Sequence, residues 1–223
     1  MTSSLTRDGD VFVLNLGDGE NRFNGDSLTA IEGHLAEVEA APAPRALVTT
    51  ATGKFWSIGL DLDWLGQQGD GVRPFVTRLN ELLARVLELG VPCVAALQGH
   101  TFAGGAMLAL AHDERVMRAD RGYFCLPEID IKIPFTPGMT ALIASRLPSR
   151  TAHEAMTTGK RYGGEDAVRA SIVEEAVAED QVLPRAIERA AALADKDPAT
   201  FQTIKQRIYA DALLALRAPL EGF

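Results

Sequence analysis

Two stretches decide the fold: Phe55-Trp56-Ser57-Ile58-Gly59-Leu60-Asp61-Leu62 and Gly99-His100-Thr101-Phe102-Ala103-Gly104-Gly105-Ala106-Met107. The first predicts a strand that runs into a tight turn at Gly59, and the second places glycines where a helix begins. Backbone N–H groups at such a turn, and at the first residues of a helix, lack partners within their own element. Two of these groups aimed at one point would stabilise an oxygen atom that gains negative charge.

Outward from these stretches, the hydrophobic pattern alternates between strands and helices. Short β-branched and apolar runs predict strands, and apolar residues at helical spacing predict helices. Asp26 or Ser27 is a candidate N-cap for the first helix. The result is an α/β fold followed by an all-helical part. Strands are predicted at 11–16, 46–50, 55–59, 94–97, 115–119 and 123–126, and helices at 27–39, 72–89, 104–111 and in most of the chain from 136 onward.

The composition excludes several classes of protein. With 223 residues, 47% of them hydrophobic, the chain can bury a full core. A net charge of −8 argues against a nucleic-acid or anionic-membrane surface and leaves room only for a local basic pocket. The sequence shows neither a secretory signal nor a membrane-spanning run. Two cysteines, Cys93 and Cys125, are too few for a disulfide framework, and both lie in apolar runs, which favours a reducing compartment. Together with the lack of a signal or membrane span, this predicts a cytoplasmic protein.

A third segment, Leu126–Ile131, places one carboxylate between apolar neighbours. Desolvation in such a place would raise the pKa of Glu128 and make it a usable base. The plain alternative is a solvated loop carboxylate, just as glycine turns are common in α/β proteins. Asp130 would lie on the same side of an extended segment, so a paired role stays open.

Other chemical groups offer weaker candidates. His112 and the adjacent Asp113 point in different directions on a helix, and no second ligand pair is spaced to join them, so we expect no metal site. His100 either lines a cleft or caps backbone. Ser57 has no base at recognisable spacing, which disfavours a nucleophilic serine.

The order of the motifs, rather than any single one, carries a resemblance. The series 55–62, Gly104-Gly105, 113–120, Pro127-Glu128-Ile129, Gly159-Lys160 and 170–173 resembles the enoyl-CoA hydratase/isomerase (crotonase) superfamily over nearly the whole chain. The resemblance implies a ββα spiral core at residues 1–165, a C-terminal helical region at 166–223, and a homotrimer or dimer of trimers. The implied substrate is an acyl-CoA, and coenzyme A enters only as part of that substrate.

The resemblance also implies roles for particular residues. The backbone N–H groups of Leu60 and Gly104 would form an oxyanion hole, and Glu128 would be the catalytic base. The turn at 21–24 would line the path of the adenine and pantetheine, and Lys205 and Arg207 would meet the CoA phosphates. The expected substrate contacts are Ser57, Ile58, Asp61, Leu62, Met107 and Phe135, with Phe124 and Ile131 adding to the apolar lining.

One departure from the family pattern favours a particular reaction. Hydratases of this family carry two glutamates, and Met107 stands where the first would lie. The single remaining carboxylate, Glu128, resembles the arrangement of Δ3,Δ2-enoyl-CoA isomerases, which need no metal or redox cofactor. Hydratase or other enolate chemistry, and a catalytically idle acyl-CoA-binding subunit, are the alternatives.

Overall fold

Strands and helices alternate along residues 3–220, the part of the chain that the computed structural model describes. The strands are β1 (Ser4–Asp8), β2 (Val11–Asn15), β3 (Ala46–Thr50), β4 (Phe55–Ser57), β5 (Cys93–Leu97), β6 (His100–Phe102), β7 (Glu114–Arg118), β8 (Phe124–Cys125) and β9 (Glu175–Val177). The helices are α1 (Gly25–Ala40), α2 (Leu62–Leu65), α3 (Val72–Leu87), α4 (Gly104–Ala111), α5 (Glu128–Ile131), α6 (Pro137–Arg146), α7 (Ser149–Thr158), α8 (Gly164–Arg169), α9 (Glu179–Ala191), α10 (Pro198–Ile208) and α11 (Ala210–Arg217).

The strands form two sheets, and the chain passes repeatedly from one to the other. The larger sheet has the order β1-β2-β3-β5-β7-β9, and the smaller has the order β4-β6-β8. Only the β1–β2 pair is antiparallel. Thus β3, β5 and β7 lie in the large sheet, and each is followed by a strand of the small sheet and then by helix. This repeated unit confirms the predicted ββα spiral.

Both faces of the large sheet are covered, as parallel strands require. On one face, α9 packs through Val182, Ala186 and Ala190, whose small side chains at successive turns bring the helix close to β3, β5 and β7. On the other face, α1, α3 and α4 enclose the main hydrophobic core. The glycine-led α4 is buried along its whole length, so its first residues lie deep in the molecule.

Several element boundaries differ from the sequence prediction, and short length explains most of them. The segment around His100, expected as a loop, forms strand β6, and β1, α2 and β9 were not expected. These elements have three to five residues each, too few to show a clear periodicity. The N-cap of α1 is Asn24 rather than Asp26 or Ser27. Its side chain accepts a hydrogen bond from the Ser27 amide at 3.0 Å, and the Ser27 hydroxyl accepts one from the Asn24 amide at 2.8 Å.

The C-terminal helices turn a different face inward than the apolar spacing predicted. Ile204 and Ile208 are 51% and 64% exposed, so the helical spacing of apolar residues on α10 does not mark a face buried within this chain. The buried residue between them is Lys205, whose ammonium lies 2.7 Å from the Asp113 carboxylate. Helix α11 packs on α3 and α6 instead. The division at 165/166 stays a prediction: β9, which follows it, is the edge strand of the large sheet, and α9 packs on that sheet.

Within residues 3–220, no helix combines the length and the hydropathy that crossing a bilayer requires.

Candidate active site

A cavity of about 340 Å³ opens beside the start of α4 and the end of β4. It brings together eight of the residues chosen from the sequence, which are spread over positions 58–135 of the chain. Its mostly apolar lining favours an apolar ligand with few polar contacts. The eight are Ile58, Leu60, Leu62, Gly104, Met107, Glu128, Ile131 and Phe135.

The backbone at Leu60 and Gly104 meets at the wall of this cavity. Gly59 has a φ of +83°, and a Cβ there would lie 2.6 Å from the Gly104 nitrogen, so only glycine lets the two loops approach this closely. Phe23 donates to the Gly59 carbonyl at 2.7 Å and accepts from the Asp61 amide at 3.0 Å, which directs the intervening Leu60 N–H away from Phe23. Within residues 3–220, neither the Leu60 nor the Gly104 amide donates to a protein acceptor.

Ser57 and Asp61, two expected substrate contacts, lie outside the cavity lining and support its backbone instead. The Ser57 hydroxyl donates to the Asn21 carbonyl at 2.8 Å and accepts from the Gly59 amide at 3.1 Å. The Asp61 carboxylate accepts from the Trp64 amide at 3.2 Å and caps α2. Both side chains therefore fix the turn that presents Leu60.

Glu128 is a buried carboxylate in an apolar setting. It begins α5, is 6% exposed, and its Oε2 has no hydrogen-bond partner among the described residues. Pro127, Ile133 and Phe135 lie beside it in the cavity wall. This burial raises the pKa of Glu128 from 4.5 to about 7, because the charged form loses its hydration. Such a carboxylate can hold or release a proton near neutral pH.

The helical turn of α5 separates Asp130 from Glu128, contrary to the extended segment that the sequence predicted. Asp130 is exposed, and its carboxylate lies against Gly159 rather than in the cavity. Phe124, expected in the apolar lining, is a core residue whose backbone pairs with Tyr162. Glu128 is the only carboxylate in the cavity lining formed by the described residues.

The other sequence candidates lie away from the cavity. His112 is buried, with Nδ1 2.8 Å from the Leu108 carbonyl and Nε2 2.8 Å from the Thr49 hydroxyl, and burial lowers its pKa to about 4. The expected structural role of His112 fits this position. His100 neither lines the cavity nor caps backbone, since its ring packs among aromatic side chains. Lys205 is held by Asp113 inside the protein and cannot meet a phosphate, so that expectation is wrong.

Sequence reasoning missed part of the lining. Val76 of α3 and Met139 of α6 line the cavity beside Leu79, and neither was chosen from the sequence. Arg22 also lines it and belongs to the turn at 21–24, which was expected along the substrate path. The sequence shows the apolar face of α3. It does not show which residues of that face line the cavity and which are covered by the core. Among the described residues, no group of three or more His, Cys, Asp or Glu side chains is arranged to hold a metal ion.

Comparison with known proteins agrees with this geometry. Residues 8–222 match the enoyl-CoA hydratase/isomerase family. The chain belongs to this family. It is 34% identical over 217 residues to enoyl-CoA delta isomerase 3 of Arabidopsis thaliana, covering 92% of this chain and 91% of the relative.

Solved structures of family members share the fold. A probable enoyl-CoA hydratase from Mycobacterium tuberculosis H37Rv superposes with a TM-score of 0.91 at 28% identity, covering 99% of this chain and 93% of that one. The human mitochondrial delta3-delta2-enoyl-CoA isomerase superposes with a TM-score of 0.87 at 23% identity, covering 95% and 84%, and supports the fold alone. The expectation of a crotonase-type, isomerase-like enzyme is confirmed at the level of the family and its named relatives.

Proposed function

We propose that this family member is an acyl-CoA isomerase that converts a 3-enoyl-CoA into the conjugated 2-enoyl-CoA. The observation that carries the proposal is one buried carboxylate without a partner, in the same cavity wall as two unpaired backbone amides. The amides suit a thioester oxygen that becomes an enolate, and the carboxylate suits proton transfer at the adjacent carbons. The names of the Arabidopsis relatives, enoyl-CoA delta isomerases, point the same way.

In the proposed reaction, ionised Glu128 removes a proton from C2 of the 3-enoyl thioester. The C2–H electrons form a C1–C2 double bond, and the thioester oxygen takes up negative charge between the Leu60 and Gly104 N–H groups. Those dipoles are already oriented, so their stabilisation costs little reorganisation. Protonated Glu128 then delivers the proton to C4, the C3–C4 double bond moves to C2–C3, and the thioester carbonyl is restored.

Met107 favours isomerisation over hydration. Its buried thioether lies in the cavity wall and can neither accept a proton from water nor orient water by a strong hydrogen bond. With Glu128 as the single carboxylate in the described lining, one proton can be shuttled, but no second group helps to add water. The reaction balances without a redox cofactor, because substrate and product are isomers, and we propose that it needs neither that nor a metal ion.

We also propose that the enzyme works as a homotrimer or a dimer of trimers in the cytoplasm. Ile204, Ile208 and Leu214 are large apolar side chains exposed on α10 and α11, and a second copy of the chain would cover them. Cys93 and Cys125 are free and buried, in keeping with a reducing compartment. Size-exclusion chromatography with light scattering at micromolar concentration tests the trimer, which a monomer would contradict.

The function is tested by following the ultraviolet absorbance of the conjugated thioester as a 3-enoyl-CoA is turned over, with 2-enoyl-CoA hydration measured in parallel. We expect isomerisation by the wild type and little hydration. Predominant hydration would favour hydratase chemistry. Binding of the CoA ester without any turnover would favour the idle binding subunit, and either result would overturn the proposal.

A further inference from the structure

The wall of the active-site cavity around Glu128 is shared with a second cavity. This second cavity has a volume of about 430 Å³, and its lining includes Thr140 of α6 and Met156 of α7. Residues that line both cavities form the partition between the two spaces. The partition consists of Glu128, Ile133, Pro134 and Phe135.

Phe135 is the largest side chain of this partition, and the backbone on either side of it is held in place. The Ile133 amide donates to the Glu128 carbonyl at 3.1 Å, and Pro134 has a fixed φ. The hydroxyl of buried Thr136 accepts from the amide of Met139 at 3.2 Å, where α6 begins. The Phe135 ring is half-buried and packs against the main core. The barrier between the two cavities therefore depends on the side chain at position 135.

A growing acyl chain would meet this partition. In the proposed reaction both C2 and C4 reach Glu128, so the carbons from C5 onward begin beside that carboxylate. Its neighbours in the cavity wall include Ile133 and Phe135. On the inner side of the cavity, Val76 and Leu79 are buried in the main hydrophobic core and close that direction.

The volume of the active-site cavity suits an acyl chain of medium length. At about 30 Å³ for each non-hydrogen atom, close to the share of one molecule in liquid water, a cavity of about 340 Å³ holds about eleven atoms. The thioester group takes about three of them, which leaves room for about eight further carbons. A 3-octenoyl chain fits this space, whereas a 3-dodecenoyl chain needs more room.

We propose that Phe135 determines the chain-length specificity of the enzyme by closing the active-site cavity off from the second cavity. The proposal rests on the proposed function, because it takes the acyl thioester as the ligand. It names the substrates as medium-chain 3-enoyl-CoAs and Phe135 as the residue that excludes longer ones. Removing the ring would join the two cavities, and a longer chain would then lie against the apolar side chain of Met156.

Steady-state kinetics with two chain lengths test this limit. For the wild type we expect kcat/KM for 3-dodecenoyl-CoA to be at least about tenfold below that for 3-octenoyl-CoA, the usual effect of even one surplus methylene in a closed apolar pocket. In Phe135→Ala the ratio of the two values should shift by at least about tenfold toward the longer substrate, and in the milder Phe135→Leu by a smaller factor. The ratio isolates chain length, because a change in the base affects both substrates alike. Equal kcat/KM values in the wild type, or an unchanged ratio in both variants, would overturn the proposal.

Thr140→Phe tests where the longer chain goes. Thr140 is exposed and lines the second cavity but not the active-site cavity. By itself the added ring should leave the ratio within about twofold of the wild type, because the wild-type substrate does not enter the second cavity. Combined with Phe135→Ala, it should remove most of the gain for 3-dodecenoyl-CoA, because it fills the space that the chain would occupy. A double variant that keeps the full gain would overturn the role given to the partition.

Binding of saturated acyl-CoAs separates this proposal from the proposed function, because these esters have no double bond to move. Calorimetry with octanoyl-CoA and dodecanoyl-CoA should show the same shift toward the longer chain in Phe135→Ala. If the shift appears but the wild type isomerises no 3-enoyl-CoA, the proposed function is refuted and the chain-length limit stands. If the wild type isomerises both chain lengths equally well, the proposed function stands and the limit is refuted.

Discussion

Replacing Glu128 by Gln should change catalysis and stability in opposite directions, which makes it an informative perturbation. The amide keeps the size of the side chain and cannot act as a base, so we expect kcat to fall by about 10³-fold, within the usual range for loss of a general base. The wild-type kcat/KM should rise with pH and level off above about pH 7, because only the ionised carboxylate removes the C2 proton.

The stability effect follows from the same burial. The folded-state pKa of about 7 lies above the ordinary 4.5, so folded wild type binds this proton more tightly than the unfolded chain. The contribution of Glu128 to stability is therefore fully present below about pH 4.5 and is lost as the pH rises through about 7. The rise in the pKa corresponds to about 3 kcal/mol of folding stability, which the wild type loses when Glu128 ionises. The Glu128→Gln variant does not lose this stability, because its amide stays uncharged.

Thermal unfolding of the wild type and Glu128→Gln at matched pH values measures this difference. As the pH rises from about 5 to about 8, the Tm of the variant should rise relative to that of the wild type. The difference in Tm should approach about 6–12 °C for a chain of this size. Other ionisable groups cancel in the comparison, since both proteins carry them. A Tm difference that is the same at every pH, or a kinetic midpoint near 4.5, would refute the claim that Glu128 is desolvated in the working enzyme.

Three further substitutions test other parts of the site. Gly59→Ala should lower kcat by at least about 10²-fold, because the added Cβ would displace the Gly104 amide. Gly104→Ala should keep most of its activity, because its Cβ would meet its neighbours at 3.4 Å. Equal losses in the two variants would contradict this geometry. Met107→Glu should raise 2-enoyl-CoA hydration at least about tenfold over Met107→Gln in a coupled assay, and no gain would contradict the role given to Met107. Lys205→Met should cost about 1–3 kcal/mol in urea unfolding, because the half-buried Asp113 carboxylate loses its ammonium partner and keeps only the hydrogen bond from the Cys93 amide. Arg207→Met should change stability by less than about 0.5 kcal/mol, and similar values for the two variants would contradict the role of the ion pair.

The sequence predicted those features of the fold that rest on long periodic segments or on backbone chemistry. The apolar face of α3 and the glycines at 104 and 105 define their elements locally. Glu128 was recognisable because its neighbours in the chain are apolar and the motif order is that of the family. Apart from the order of the motifs, these signals lie within a few residues of the feature that they predict.

The remaining features depend on contacts between distant segments. Lys205 rather than Ile204 turns inward on α10, and its ammonium meets the carboxylate of Asp113, which lies some ninety residues earlier in the chain. The rings of Phe55 and His100 likewise lie 5.6 Å apart only because β4 and β6 pair. Neither arrangement leaves a local trace in the sequence.

The central claim is that Glu128 carries one proton from C2 to C4 of the substrate. It is tested most directly by converting a 3-enoyl-CoA deuterated at C2 in ordinary water, and by locating the deuterium in the early product by mass spectrometry and NMR. The account predicts that a substantial share of the product carries the label at C4, because the buried carboxylate exchanges slowly with solvent in its apolar setting. A product whose added hydrogen at C4 comes entirely from solvent would contradict transfer by this single buried base.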